Sequence, residues 1–131
     1  MTPLDLEIAA QSFFDTFVEA FASFDGAVVA ERYLAPYMAF HAVDSVQVFL
    51  STAEIAAYFQ QVLDGYRAGG CRACRWTEMT VVPLGRACAV ATVTWKLLAE
   101  DRREIGAWRE SYNLCQVEGR FKVFASTDHA S

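Results

Sequence analysis

No apolar run in this chain approaches the roughly 20 residues that a membrane-spanning helix requires, so a membrane protein is not expected. There is no Gly-rich phosphate loop, no Gly-x-Ser-x-Gly elbow and no His-Glu-x-x-His motif, and with them go three common routes to a sequence-level functional assignment. Positive charge is in short supply: 11 Lys and Arg against 16 Asp and Glu leave a net charge of -5. Neutralising phosphates needs a basic surface, so nucleic acid is not an expected partner. The densest basic pair, Arg102 and Arg103, is compensated by Asp101 and Glu104 beside it. The segment Met1–Glu7 carries acid where a signal peptide needs positive charge, and no apolar core follows it. A cytoplasmic protein is expected, with Cys71, Cys74, Cys88 and Cys115 kept as thiols. Cys71-Arg72-Ala73-Cys74 has the spacing of half a zinc site or a redox pair, but no second half exists and only two histidines are present. Neither a metal nor another cofactor is expected.

What the chain does contain is apolar and aromatic. Its 131 residues are 54% hydrophobic and include ten Phe, enough for one domain, 1–131, to bury a core without disulfides. Thr2, Pro3 and Asp5 form a capped helix start. Apolar residues then recur at helical period from Leu6 through Phe13, Phe14, Phe17 and Phe21 to Phe24. Asp25-Gly26 breaks that helix, and a short second one is predicted from Ala27 to about Tyr33. Two short strands, Tyr37–Val43 and Val46–Leu50, should meet at Asp44-Ser45. Ser51-Thr52-Ala53-Glu54 is a capping box for a third helix that Gly69-Gly70 ends. The remainder reads as a meander: Cys74–Val82, Arg86–Ala99, Arg103–Val117 and Arg120–Asp128. The sum is an α+β fold with about three helices packed on one side of a curved, mainly antiparallel sheet.

Two-residue turns at Asp101-Arg102 and Glu118-Gly119 set the expected register. Trp95 then opposes Trp108, Val93 opposes Glu110, Ala91 opposes Tyr112, Ala89 opposes Leu114, and Tyr112 faces Ala125. One sheet face collects Ala89, Ala91, Val93, Trp95, Trp108, Glu110, Tyr112, Leu114, Phe121, Val123 and Ala125. The other collects Cys88, Val90, Thr92, Thr94, Lys96, Arg109, Ser111, Asn113, Cys115, Lys122 and Ser126. The first is a core or pocket face with a single acid in it. The second is semi-polar and suits solvent or a homodimer contact; a homodimer through that outer face is the expectation. A one-residue bulge would exchange the two faces.

The long Phe-rich first helix, the Tyr33-Leu34-Ala35-Pro36 lead into a short strand, the capped third helix and the closing Glu118-Gly119-Arg120-Phe121-Lys122-Val123 hairpin resemble the nuclear-transport-factor-two-like superfamily. Its members include ketosteroid isomerase, polyketide cyclases of the SnoaL type, scytalone dehydratase and limonene epoxide hydrolase. The hairpin matches the superfamily's Asp-Gly-x-Trp-Lys-Ile pattern, with Phe in place of Trp. The resemblance implies a cone-shaped, cystatin-like fold with a pocket between sheet and helices, used by some members for cofactor-free acid–base chemistry and by others for binding or assembly. It places His41 where ketosteroid isomerase has its catalytic base, and Glu110 where that enzyme has a protonated acid. The hydroxyl-bearing Tyr of the first helix corresponds to Phe17, which has none.

Two residues carry the functional expectation. His41, in apolar and aromatic surroundings, could serve as a general base; the plainer reading is a strand histidine bonded to backbone or to Asp44. Glu110 could be an acid of raised pKa, or could pair with Arg75 or lie at an exposed edge. Phe17, Tyr37, Tyr58, Trp95, Trp108 and Tyr112 are the expected pocket wall, with Trp76 a further candidate. His129 could close the pocket or fray, and Asp128 opposite Arg109 reads as a surface ion pair. The expected function is that of a small-molecule pocket protein: a cofactor-free isomerase, dehydratase or cyclase acting on a small apolar molecule, or a non-catalytic binding or dimeric interaction module.

Overall fold

A computed structural model describes residues 2–129. Helix α1 spans Pro3–Ala22, α2 Gly26–Ala30 and α3 Thr52–Ala68. The strands are β1 Tyr33–Ala42, β2 Ser45–Phe49, β3 Ala73–Leu84, β4 Cys88–Leu98, β5 Glu104–Val117 and β6 Arg120–Asp128. They form one six-stranded sheet in the order β2-β1-β6-β5-β4-β3, antiparallel except for the pairing of β1 with β6. The three helices pack on one face, which gives the α+β, cystatin-like architecture expected. Among the described residues no helix is long and apolar enough to cross a membrane.

Local chemistry accounts for the helix positions. Thr2 and Asp5 exchange side-chain and backbone hydrogen bonds in a complete capping box, with Pro3 opening α1. Ser51 accepts from the Glu54 amide while the Glu54 carboxylate accepts from Leu50 N–H, fixing the start of α3. Helix α2 is held to α3 through Gln60, which accepts from Gly26 N–H at 2.8 Å and donates to the Phe24 carbonyl at 3.2 Å. The backbones approach so closely there that a Cβ on Gly26 would meet the Ala56 carbonyl oxygen.

Strand β1 begins at Tyr33, earlier than the sequence suggested, and the second helix is correspondingly short. In the β4–β5 hairpin the predicted pairs hold: Trp95 with Trp108, Val93 with Glu110, Ala91 with Tyr112, Ala89 with Leu114. The turn itself differs. Ala99 N–H donates to the Arg103 carbonyl, so the loop has three residues, Glu100 to Arg102, with Arg102 at φ 70°. Ile105 is then an unpaired bulge between Gly106 and Glu104. The two one-residue departures offset each other, which restores the expected register from Leu97 onward.

The β5–β6 hairpin departs without compensation. Its turn is the expected two residues, Glu118 and Gly119 both at positive φ, and Leu114 faces Val123. Phe124 is then bulged out, so Asn113 pairs with Ala125, Tyr112 with Ser126 and Glu110 with Asp128. The expected pairing of Tyr112 with Ala125 is therefore corrected by one position. Ser126 moves to the inner face, where it is 3% exposed, and Asp128 follows it.

The core is an aromatic cluster between α1 and the inner face. Phe14 packs on Trp95 and Tyr112 at ring separations of 5.9 and 5.5 Å, and Phe17 on Trp95 at 5.3 Å. β4 alternates buried and half-buried positions along its length up to Leu97, as a strand with one covered face should.

Candidate functional site

Between the helices and the inner sheet face lies a cavity of about 220 Å³. Helix α1 supplies Phe17 and Phe21, α3 supplies Tyr58, Phe59, Leu63 and Tyr66, and the sheet supplies Trp95, Trp108 and Tyr112. Two carboxyl groups and one imidazole belong to this lining: Glu110 from β5, Asp128 from β6 and His41 from β1. The register described above brings the two carboxyl groups onto facing positions of adjacent strands.

Glu110 is 6% exposed. Trp108 donates its indole N–H to Glu110 Oε1 at 2.8 Å, and the Tyr112 hydroxyl and Asp128 carboxyl also act on the group. Burial among aromatic rings penalises the ionised form most, and the Asp128 charge adds to it; together they push the Glu110 pKa up to about 8. The donors Trp108 and Tyr112 pull the other way without overcoming burial. The direction of the shift favours the protonated acid, which can donate a hydrogen bond where a carboxylate cannot.

Asp128 Oδ2 accepts from or pairs with His41 Nδ1 at 3.2 Å. With Nδ1–H directed at the carboxylate, Nε2 is left as the lone-pair nitrogen. Nε2 and Asp128 Oδ1 are both buried without a partner among the described residues. The imidazole stacks on the Tyr58 ring, 5.4 Å between centroids, which fixes its plane. Deeper in, Trp95 donates to the Tyr112 hydroxyl at 2.7 Å. Burial raises the pKa of Tyr58 to about 12 and moves Tyr66 and Tyr112 further up, so these phenols stay neutral donors. The arrangement sets the Glu110 carboxyl and the His41 imidazole in the lining of one largely aromatic chamber.

The structure thus brings Phe17, Tyr58, Trp95, Trp108 and Tyr112 together with His41 and Glu110, and leaves out Tyr37. Tyr37 is 1% exposed and sits behind the lining, stacked on Phe49, with its hydroxyl against Ser126 Oγ. Its side chain alternates with Met38, and Phe59 covers it from α3. Trp76 is also outside the cavity, its indole N–H bonded to Asp15 at 3.0 Å. Neither plainer reading of His41 and Glu110 holds: His41 bonds to Asp128 rather than Asp44, and Arg75 pairs with Glu104 at 2.6 Å. Asp128 is not the surface partner of Arg109, which instead reaches the Glu78 carbonyl and Thr94. His129 bonds to Ser111 Oγ, away from the cavity. Asp128 and Tyr66 are the residues that sequence reasoning missed. Tyr66 had a signal, since it lies on the apolar stripe of α3; Asp128 had none, because the Phe124 bulge that turns it inward has no sequence mark.

A family described as NTF2-like protein (DUF6841) matches residues 7–131. The chain belongs to this family. No curated protein sequence matches it significantly. Among solved structures, this NTF2-like chain is similar to Aln2 from a Streptomyces species, with a TM-score of 0.78 and 13% identity over 98% of this chain and 92% of that one. An NTF2-like protein with a cystatin-like fold from Novosphingobium aromaticivorans gives a TM-score of 0.74 and 14% identity, covering 95% and 81%. A protein assigned as an aromatic ring hydroxylase from the same species gives 0.73 and 14%, covering 98% and 90%. At these identities the likeness is one of fold, and the NTF2-like fold hosts several functions.

Proposed function

We propose that this NTF2-like protein binds a small, largely apolar molecule in the Glu110 cavity and moves a proton on it without a cofactor. His41 is the base, through Nε2. Glu110 is the acid, donating to a carbonyl or hydroxyl oxygen of the ligand. Asp128 holds His41 in the required tautomer, and its charge helps keep Glu110 protonated. The single observation that carries this reading is a buried carboxyl group, Glu110, lining the same largely aromatic chamber as a histidine hydrogen-bonded to Asp128. Proton removal next to a carbonyl, with the acid on the oxygen, fits an isomerisation, dehydration or cyclisation.

Size limits the ligand. An apolar cavity of about 150 Å³ takes up benzene, and drug-sized ligands occupy roughly 300–1,000 Å³. At about 220 Å³ the chamber suits a molecule of one or two rings rather than a steroid. Phe17 contributes ring surface and no hydroxyl, which also separates this site from that of ketosteroid isomerase.

The protein is further proposed to act as a cytoplasmic homodimer. Four free thiols suit a reducing compartment. Met38 and Val48, paired across β1 and β2, are 50% and 55% exposed on the outer sheet face, with Val46 beside them; an apolar patch of this kind favours a second copy. A monomeric mass by light scattering at micromolar concentration would remove the dimer.

The reaction itself is tested by proton exchange. Small cyclic ketones incubated with the protein in deuterated buffer should exchange their α-protons faster than in buffer alone, as followed by NMR. Exchange should vanish in His41→Ala and fall sharply in Glu110→Gln. No exchange above background, with ketone binding nonetheless detected by chemical-shift changes at the cavity, would leave the non-catalytic binding module as the better account.

A further inference from the structure

A second concavity, of about 610 Å³, lies on the other side of α1 and shares no lining residue with the Glu110 cavity. It runs between α1, the segment joining α2 to β1, and the β5–β6 turn. Its charged side chains are Arg32, Arg120, Lys122 and one acid, Glu31. In a chain of net charge -5 this is a local excess of positive charge. None of the three cations has a carboxylate partner among the described residues, although five other ion pairs form.

Arg32 is the built part of this groove. Its backbone is fixed on both sides, N–H to the Val29 carbonyl and carbonyl to Val123 N–H. Its guanidinium donates from Nη2 to the Thr16 carbonyl at 3.1 Å, which orients the plane. Its Nε–H is buried and has no partner among the described residues. The guanidinium edge that contacts Thr16 is exposed, so the group offers further N–H donors to the groove. Phe121, partly buried over the core, adds ring surface to the same wall.

We propose that this groove is a binding site for a small organic oxyanion carrying an aromatic ring. The exposed edge of the Arg32 guanidinium donates to the oxyanion, Arg120 and Lys122 supply charge from β6, and Phe121 packs on the ring. A guanidinium held in plane is suited to carboxylate or phosphate, where charge-assisted hydrogen bonds are strong.

The test is calorimetric titration of the full chain with phenyl phosphate, with benzoate, and with inorganic phosphate, at low ionic strength. Phenyl phosphate or benzoate should bind saturably, the tighter of the two identifying the head group. The surface double variant Arg120→Ser/Lys122→Ser should weaken that binding by at least about tenfold, as loss of two charge-assisted contacts would. Arg32→Lys, which keeps the charge but loses the fork, should weaken it as well; unchanged melting of both variants separates binding from folding. Absence of saturable binding by all three probes at millimolar concentration would overturn the site. Affinity unchanged in the variants would overturn it equally, and inorganic phosphate binding as tightly as phenyl phosphate would overturn the ring-bearing ligand.

Discussion

Replacing Glu110 by Gln isolates the energetic cost of a carboxyl group held among tryptophans. Gln keeps the shape and an oxygen to accept the Trp108 indole N–H, and removes only the ionisation. In the native protein the pKa is pushed up from 4.5 to about 8, chiefly by burial and then by Asp128. Between those values the folded state keeps a proton that the unfolded chain gives up, so stability is fully present below about 4.5 and is lost as pH rises through 8. At about 1.36 kcal/mol per pH unit, the interval from 4.5 to pH 7 corresponds to roughly 3 kcal/mol. For a chain of this length that is about 10 °C in melting temperature. Urea unfolding of wild type and Glu110→Gln from about pH 3 to about pH 8.5 supplies the measurement. Their stability difference should be pH-independent below 4.5 and should shift progressively in favour of the variant above it. Parallel pH profiles would show that Glu110 ionises normally and would refute the reasoning.

Four further outcomes follow from the same geometry. Asp128→Asn removes the neighbouring charge but leaves burial in place, so the Glu110 titration should move toward acid yet remain above the ordinary carboxyl value, as read by the break in the pH–stability profile. Tyr112→Phe strands the Trp95 indole N–H, whose acceptor lies at 2.7 Å, and should cost about 1–3 kcal/mol in urea unfolding. Gly26→Ala drives a Cβ onto the Ala56 carbonyl and to 2.7 Å from the Gln60 nitrogen; overpacking of this kind should cost about 1–3 kcal/mol in the same assay. Cys88 and Cys115 are directly opposed and flanked by the Gln116–Ala87 bond, the close-approach type of pair; diamide should link these two thiols in preference to Cys71 and Cys74, as a mapped intramolecular disulfide would report.

Residues whose position is set by local rules are legible in the sequence. The two capping boxes at Thr2 and Ser51, the Phe stripe of α1 and the alternation of β4 are short-range signals, and each element lies where its signal places it. Glu110 can be assigned to the inner face because the register of β4 and β5 needs only a turn and a pleat. That inference survives a three-residue loop because the Ile105 bulge offsets it. No such compensation exists at Phe124, and the same parity argument therefore puts Ser126 and Asp128 on the wrong face. Bulges respond to sheet twist and to packing across strands, which no local residue pattern encodes. Tyr37 is misplaced for a different reason: alternation tells which face a side chain takes, and it does not tell whether that side chain lines a cavity or fills the layer behind it.

A carbon-13 NMR titration of the glutamate carboxyl carbons, with Glu110 assigned by its absence in Glu110→Gln, tests the central claim most directly. The proposed site requires a carboxylic acid at pH 6.5 that loses its proton near pH 8. A Glu110 signal already in its ionised position at pH 6 would contradict it and would remove the acid from the proposed reaction.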